Sequence, residues 1–164
     1  MEYCDVYNAD GKKTGRVAIR GAWRRGEGEY LLSVHIIIRN SKGEYLIQKR
    51  SKSKRSLPGM WNLTCGMVDA GETDIDAIQR EIKEEIGIDI DKESAVYGGR
   101  VILKALFADI WLVTADFELS DCVLQADEVA DVRWVSREEL MELISSANHR
   151  TDAYKEIVER LIAE

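Results

Sequence analysis

Six consecutive residues, Arg80-Glu81-Ile82-Lys83-Glu84-Glu85, hold the densest run of reactive groups in the chain. On a helix, Glu81, Glu84 and Glu85 stand at i, i+3 and i+4 and share one face. Like charges at that spacing destabilise a helix by roughly 0.2–0.5 kcal/mol per pair, and only Arg80, four residues before Glu84, is placed to offset them locally. Clustered carboxylates are hard oxygen ligands, and magnesium is commonly held by one or two of them together with waters and substrate phosphates. A bound cation would relieve the repulsion. A solvated acidic helix face would carry the same letters, so the residues upstream must separate the two readings.

Gly66 stands six positions before Glu72, seven residues separate Glu72 from Arg80, and the segment closes on Gly87-Ile88. Written out, residues 66–88 read G-x5-E-x7-R-E-U-x-E-E-x-G-U, with U a bulky aliphatic, which fixes nine positions across 23 residues. Chance agreement at that many positions is negligible. The string resembles the Nudix box at every fixed position. The resemblance reaches the strands before the box, Val132 to Ser136 with Glu138-Glu139-Leu140 after it, and the terminal helix, so it covers nearly the whole chain. It implies an α+β fold, an α/β/α sandwich with a mixed β-sheet between helices. It also implies a magnesium- or manganese-dependent hydrolase that cleaves a pyrophosphate bond in a nucleoside diphosphate linked to another moiety, or in a related small diphosphate.

By the same resemblance Glu81, Glu84 and Glu85 are metal ligands, Glu81 or Glu84 also helps a water to attack, and a carbonyl of Gly66 or Cys65 joins them. Arg80 and Glu72 would pair to hold the loop against the helix, fixing the ligands from behind. Gly66 and Gly71 would shape the loop and Gly87 the helix exit. Glu128, in Ala126-Asp127-Glu128-Val129, is a further candidate ligand or base. The basic run from Lys49 to Arg55 supplies Lys49 and Arg50 as candidate substrate contacts, while Trp61 and Trp111 are candidate rings for stacking on a base. A solvated basic loop and ordinary core packing are the competing readings for these.

Within the family, Ser41-Lys42-Gly43-Glu44, Ile47-Gln48-Lys49-Arg50-Ser51 and Pro58-Gly59-Met60-Trp61 resemble the subgroup related to isopentenyl-diphosphate isomerase. Cys65 falls where that isomerase places its catalytic cysteine. Its histidine metal ligands, however, correspond to Tyr30 and Met67, and the Arg-Glu and Glu-Glu elements are intact. Hydrolysis is therefore the expectation, isomerisation the alternative, and a non-catalytic nucleotide-binding module the third reading. His35, inside an apolar strand, is expected to be a core or ring-stacking histidine.

These residues need a scaffold. Strands are expected at Tyr3 to Tyr7, Arg16 to Arg20, Leu31 to Ile38 and Glu44 to Arg50, the last two joined as a hairpin by Asn40-Ser41-Lys42-Gly43. Asp74 to Ile86 is the clearest helix: Thr73 and Asp76 form a variant capping box, Gly87 ends it, and Ile75, Ile78, Ile82 and Ile86 make an apolar stripe. Further strands are expected at Tyr97 to Leu103, Ala108 to Phe117 and Val132 to Val135. Two helices follow, one capped by Ser136 with Glu139, the other from Thr151 to Ile162.

The 164 residues, with 45% hydrophobic and 32% charged, fit one domain spanning 1–164, and no linker or repeat divides them. Acidic residues number 30 against 23 basic, a net charge of -7, which excludes extended nucleic acid bound through a broad basic face. A small diphosphate reached through metal cations remains compatible. Cys4, Cys65 and Cys122 show no paired spacing, so a reducing cytoplasm is expected. With no leader-like start and no apolar run long enough to span a bilayer, a soluble protein is expected, and a homodimer would follow family habit.

Overall fold

Strand β3, Leu31–Arg39, is buried along almost its entire length and organises the molecule. The computed structural model describes residues 1–146 and 150–163. Successive side chains of a strand point to opposite faces, so Val34, Ile36 and Ile38 enter one core and Ile37 enters another. The first core is closed by helix α1, Asp74–Ile86, through Ala77, Ile78, Ile82 and Ile86. The second is closed by α2, Arg137–Ser146, and α3, Asp152–Ile162, through Leu140, Ile144, Tyr154, Val158 and Leu161. The result is an α+β fold with a mixed sheet between helical layers.

Around β3 the sheet gathers β4 (Tyr45–Arg50), β5 (Trp61–Asn62), β6 (Thr64–Met67), β7 (Val96–Leu103), β8 (Leu106–Thr114) and β9 (Val129–Val135). The β3·β8 pairing is parallel, Leu31↔Leu106 to Arg39↔Thr114, and the other pairings are antiparallel. A separate hairpin of β1 (Tyr3–Tyr7) and β2 (Lys13–Ile19) has its own small core of Cys4, Val6, Ala18 and Leu31.

Three expectations need correction. The β3–β4 hairpin pairs only at its base, Arg39↔Tyr45. Beyond it β3 takes β6, Ser33↔Met67 to Ile36↔Thr64, while β4 takes β9 and β5, because each strand is apolar enough to need further neighbours. Strands β5 and β6, unforeseen in the sequence, bridge this divergence. The strand expected to run to Phe117 ends at Thr114, and Phe117 turns to pack on Trp134 with ring centroids 4.9 Å apart. Among the described residues, no helix is long and apolar enough to cross a membrane.

Helix α1 begins as its sequence dictates. Thr73 Oγ1 accepts the Asp76 N–H at 3.2 Å, and the Asp76 carboxylate accepts the Thr73 N–H at 3.4 Å, completing the capping box. Its first residue is pinned to the sheet, since Trp111 Nε1 donates to Asp74 Oδ2 at 2.9 Å. Burial, and then the neighbouring Asp109 carboxylate, raise the Asp74 pKa above the ordinary carboxylate range. Asp109 itself is buried against Arg100, at 2.6 and 2.8 Å.

A raised acid binds its proton more tightly folded than unfolded, so this group costs stability as pH rises through the carboxylate range and is silent below it. Asp74→Asn keeps an acceptor for Trp111 and removes that cost. Chemical denaturation at pH 7 is expected to show the variant about 1 kcal/mol more stable, net of a weakened helix-dipole interaction, with the advantage gone by about pH 4.

Candidate active site

The box glutamates reach one cavity of about 580 Å³. Glu81, Glu84 and Glu85 line it from α1, Cys65, Gly66 and Met67 from β6, Ser33 and His35 from β3, and Arg50 from the end of β4. Glu128 and Gln125 enter from the loop before β9, Thr151 from the start of α3, and Glu2 and Arg20 from the N-terminal hairpin. Leu57 and Lys104, the two non-glycine residues with left-handed φ (49° and 57°) among those described, also line it. Strained backbone of this kind persists where the surrounding structure enforces it, frequently at functional sites.

Arg80 holds the acidic wall in place. Its Nε donates to Glu72 Oε1 at 2.6 Å and one terminal nitrogen donates to Glu72 Oε2 at 2.9 Å, a two-pronged pair. The same nitrogen donates to the Met67 carbonyl at 2.9 Å, tying α1 to β6. The other terminal nitrogen donates to Glu81 Oε1 at 2.8 Å and reaches Glu84 at 3.5 Å. Arg80 thus relieves two of the three glutamates, more than its i+4 relation to Glu84 alone indicates. Burial works against ionisation of Glu72, yet the Arg80 bonds and the Asp69 N–H outweigh it and hold the carboxyl below its usual range. Those same bonds make the Arg80 guanidinium hold its proton more tightly, against the effect of burial.

Burial pushes Glu81 up to about 6, with Arg80 pulling against it. Burial likewise pushes Glu85 up to about 7, opposed by a hydrogen bond from Gln48 and reinforced by the charges of Glu81 and Glu128. Gln48 Nε2 donates to Glu85 at 2.8 Å, and its Oε1 accepts the Thr64 hydroxyl at 3.0 Å, which fixes the amide's orientation. Neither Gln48 nor Thr64 was foreseen as a site residue. The period of two along β4 is the signal for Gln48, since it places Gln48 and Arg50 on one face and Lys49 on the other.

That alternation corrects one expectation, and the placement of β5 corrects another. Lys49 is not in the cavity wall; it pairs in register with Trp61 on the neighbouring strand. Trp61 is also outside the wall, with the Arg133 guanidinium 4.6 Å from its ring centroid. Arg50 does line the cavity, its Nε donating to the Ser56 carbonyl at 2.9 Å. Lys54 pairs there with Glu128. Trp111 is committed to Asp74 and packs on Tyr97, so among the described residues no Trp, Tyr or Phe ring lines the cavity.

Gly66 also differs from expectation. It lies within β6, and its requirement is space: a Cβ there would stand 2.1 Å from Glu81 Cδ. Gly87 does end α1 in a left-handed conformation, φ 75°, its N–H donating to the Lys83 carbonyl, and Gly71 turns the loop at φ 82°. His35 lines the cavity with its Nδ1 2.8 Å from the Tyr154 hydroxyl. Cys65 Sγ lies 3.5 Å from the Leu63 carbonyl, and burial pushes the thiol up to about 12, which keeps it protonated at neutral pH. Tyr30 stacks on Phe107 at 4.7 Å, away from the cavity wall.

Gly66→Ala is expected to displace Glu81 from its place against β6, costing about 1–3 kcal/mol of stability by overpacking. Comparison of urea midpoints measures that cost, and a neutral result would show that Glu81 is not confined by Gly66.

Comparison with known proteins bears on the fold and the family. The family model of the NUDIX domain matches residues 29–159. An uncharacterised Nudix hydrolase of Listeria innocua is 44% identical over 147 residues, which span 89% of this chain and 86% of the relative. The chloroplastic isopentenyl-diphosphate Delta-isomerase I of Arabidopsis thaliana is 33% identical over 150 residues, 79% of this chain and 52% of its own length. Among solved structures, DR0079 from Deinococcus radiodurans has the same fold, with a TM-score of 0.75 at 24% identity over 97% of this chain and 98% of that one. With the box carried on α1 and the matched region taking in the whole sheet, the chain belongs to the Nudix family and is a hydrolase of anhydrides in phosphorus-containing compounds.

Proposed function

We propose that the chain hydrolyses the pyrophosphate bond of a nucleoside diphosphate linked to another moiety, or of a related small diphosphate, with magnesium or manganese held by Glu81, Glu84 and Glu85. The observation that carries this reading is the gathering of those three carboxylates in one cavity with Arg50, Lys54 and Glu128. Among the described residues, no three His, Cys, Asp or Glu side chains form a preassembled metal cage. Magnesium does not demand one, because it takes one or two carboxylates and completes its shell with water and phosphate oxygens. The donor set fits it: Glu81 and Glu85 are buried beside each other's charge and gain from a cation, and Gly66 leaves room for a carboxylate against the strand.

When bound, the cation would neutralise charge on the non-bridging oxygens and lower the pKa of a coordinated water. The chain's own residues have separate tasks. Arg80 and Glu72 keep the acidic wall registered against β6, and Gln48 orients Glu85. Arg50 offers its remaining guanidinium donors to a phosphate. Glu128 leaves its pair with Lys54 to act as a base or ligand, which frees the Lys54 ammonium for phosphate. In the overall reaction water adds to phosphorus, the bridging P–O bond breaks, and the proton lost by water passes to a carboxylate and then to solvent.

The isomerase alternative is favoured by the Arabidopsis relative and by Cys65 at the cavity wall. It is weakened by Tyr30 and Met67 where histidines would be required and by the intact Arg80-Glu81 and Glu84-Glu85 elements. A purely binding module gives no reason to bury Glu81 and Glu85, whose desolvation is costly.

Hydrolysis of a panel of nucleotide sugars, dinucleoside polyphosphates and small diphosphates with magnesium is the test. Glu84→Gln and Glu85→Gln are each expected to lower kcat by on the order of a hundredfold or more. Full activity in both variants would refute the assignment. Cys65→Ala is expected to retain hydrolysis, whereas conversion of isopentenyl diphosphate to its isomer, abolished by the same change, would establish the alternative.

A further inference from the structure

Arg150 is the one buried cation among the described residues, 6% exposed, and it has no carboxylate partner. Its terminal nitrogen donates to Asn62 Oδ1, its guanidinium lies 5.0 Å from the Tyr154 ring centroid, and its Nε finds no acceptor among the described residues. A neutral amide, the Tyr154 hydroxyl and a ring face bring no negative charge to balance a desolvated cation, so the arrangement is costly to the fold alone. Asp152, the nearest acid along the chain, is exposed and makes no ion pair with it.

The charge lies directly behind the cavity wall. Asn62, to which Arg150 donates, lines the cavity, as does Thr151, its neighbour in sequence. Asn62 Oδ1 accepts from both Arg150 and the Leu63 N–H, at 2.8 Å for the latter, so the amide's NH2 end is the one left for the cavity. Thr151 is the N-cap of α3, an 11-residue helix whose positive end therefore opens at the same corner. Two positive sources, a buried guanidinium and a helix start, thus converge on one part of a cavity whose α1 wall is acidic.

We infer that this corner, formed by Asn62 and Thr151 and charged from behind by Arg150, is a subsite for a second anionic group of the substrate, a phosphate or carboxylate carried beyond the scissile diphosphate. The inference rests on the diphosphate reading for the word substrate, but the subsite binds its anion without metal. It therefore selects diphosphates whose attached moiety bears an acid over those whose moiety is neutral.

Thermal unfolding in EDTA, with inorganic phosphate against chloride at matched ionic strength, tests this on the intact protein. Phosphate is expected to raise the wild-type midpoint by more than those of Arg150→Met and Asn62→Asp, the variants measuring the general salting effect that acts on all three alike. Asn62→Asp pairs Arg150 internally, and its midpoint without phosphate is expected to equal or exceed that of the wild type even if Arg150→Met folds poorly. With metal present, Asn62→Asp is expected to raise KM on the order of tenfold more for diphosphates with an acidic attached group than for those with a neutral one. Equal phosphate shifts in all three proteins, or none in the wild type, would overturn the subsite. Glu85→Gln should keep the phosphate shift, so failure of the hydrolytic reading and failure of this one are told apart.

Discussion

The bidentate pair between Arg80 and Glu72 is the interaction on which the site depends. It joins the loop before α1 to the helix, and the same guanidinium reaches back to the Met67 carbonyl and sideways to Glu81 and Glu84. A planar donor array does this better than a lysine could, because its geometry fixes direction as well as charge. Every neighbouring feature serves the same registration. The capping box starts α1 at a defined residue, Trp111 pins that start to the sheet, and the absent side chain of Gly66 lets Glu81 lie against β6. The β1–β2 hairpin secures the loop from outside, with Ala70 N–H donating to the Tyr3 carbonyl and Gly71 N–H to Asp5.

Once α1 is registered, the cavity follows from how the sheet divides. β3 and β4 part after one residue pair, and the short β5 and β6 bridge the gap. Residues from helix, sheet and loops then converge on a half-open cavity whose α1 wall is acidic. The net charge of -7 ceases to be a puzzle for an enzyme of phosphate anhydrides. Part of the acidic surplus is concentrated where divalent cations serve the family's chemistry, and the buried guanidinium of Arg150 is held behind the wall, on Asn62.

Much of this was legible in the sequence because it is local. Capping residues, the isoleucine stripe and the terminating glycine act within a few positions of one another, so α1 runs from Asp74 to Ile86 as its letters require. Resemblance supplied the pairing of Arg80 with Glu72 across eight residues. What escaped is long-range. Gln48 lies 37 positions from Glu85 and Arg150 lies 88 from Asn62, and no local pattern announces either contact. Lys49 and Trp61 were misplaced for a different reason: a basic run and an aromatic ring give composition, whereas the side chosen by a strand residue is set by register. The short strands β5 and β6 offer too few residues for periodicity to show, and their place is fixed by β3 and β4 seeking partners.

A double-mutant cycle on Glu72 and Arg80, read as kcat/KM for diphosphate hydrolysis, tests the central claim that one pair registers the whole acidic wall. If it does, Glu72→Gln and Arg80→Met each lose activity and the double variant loses little more than the worse single variant, since either change alone already frees the loop from the helix. Losses that simply add, with each variant keeping the wall in place by itself, would contradict the account.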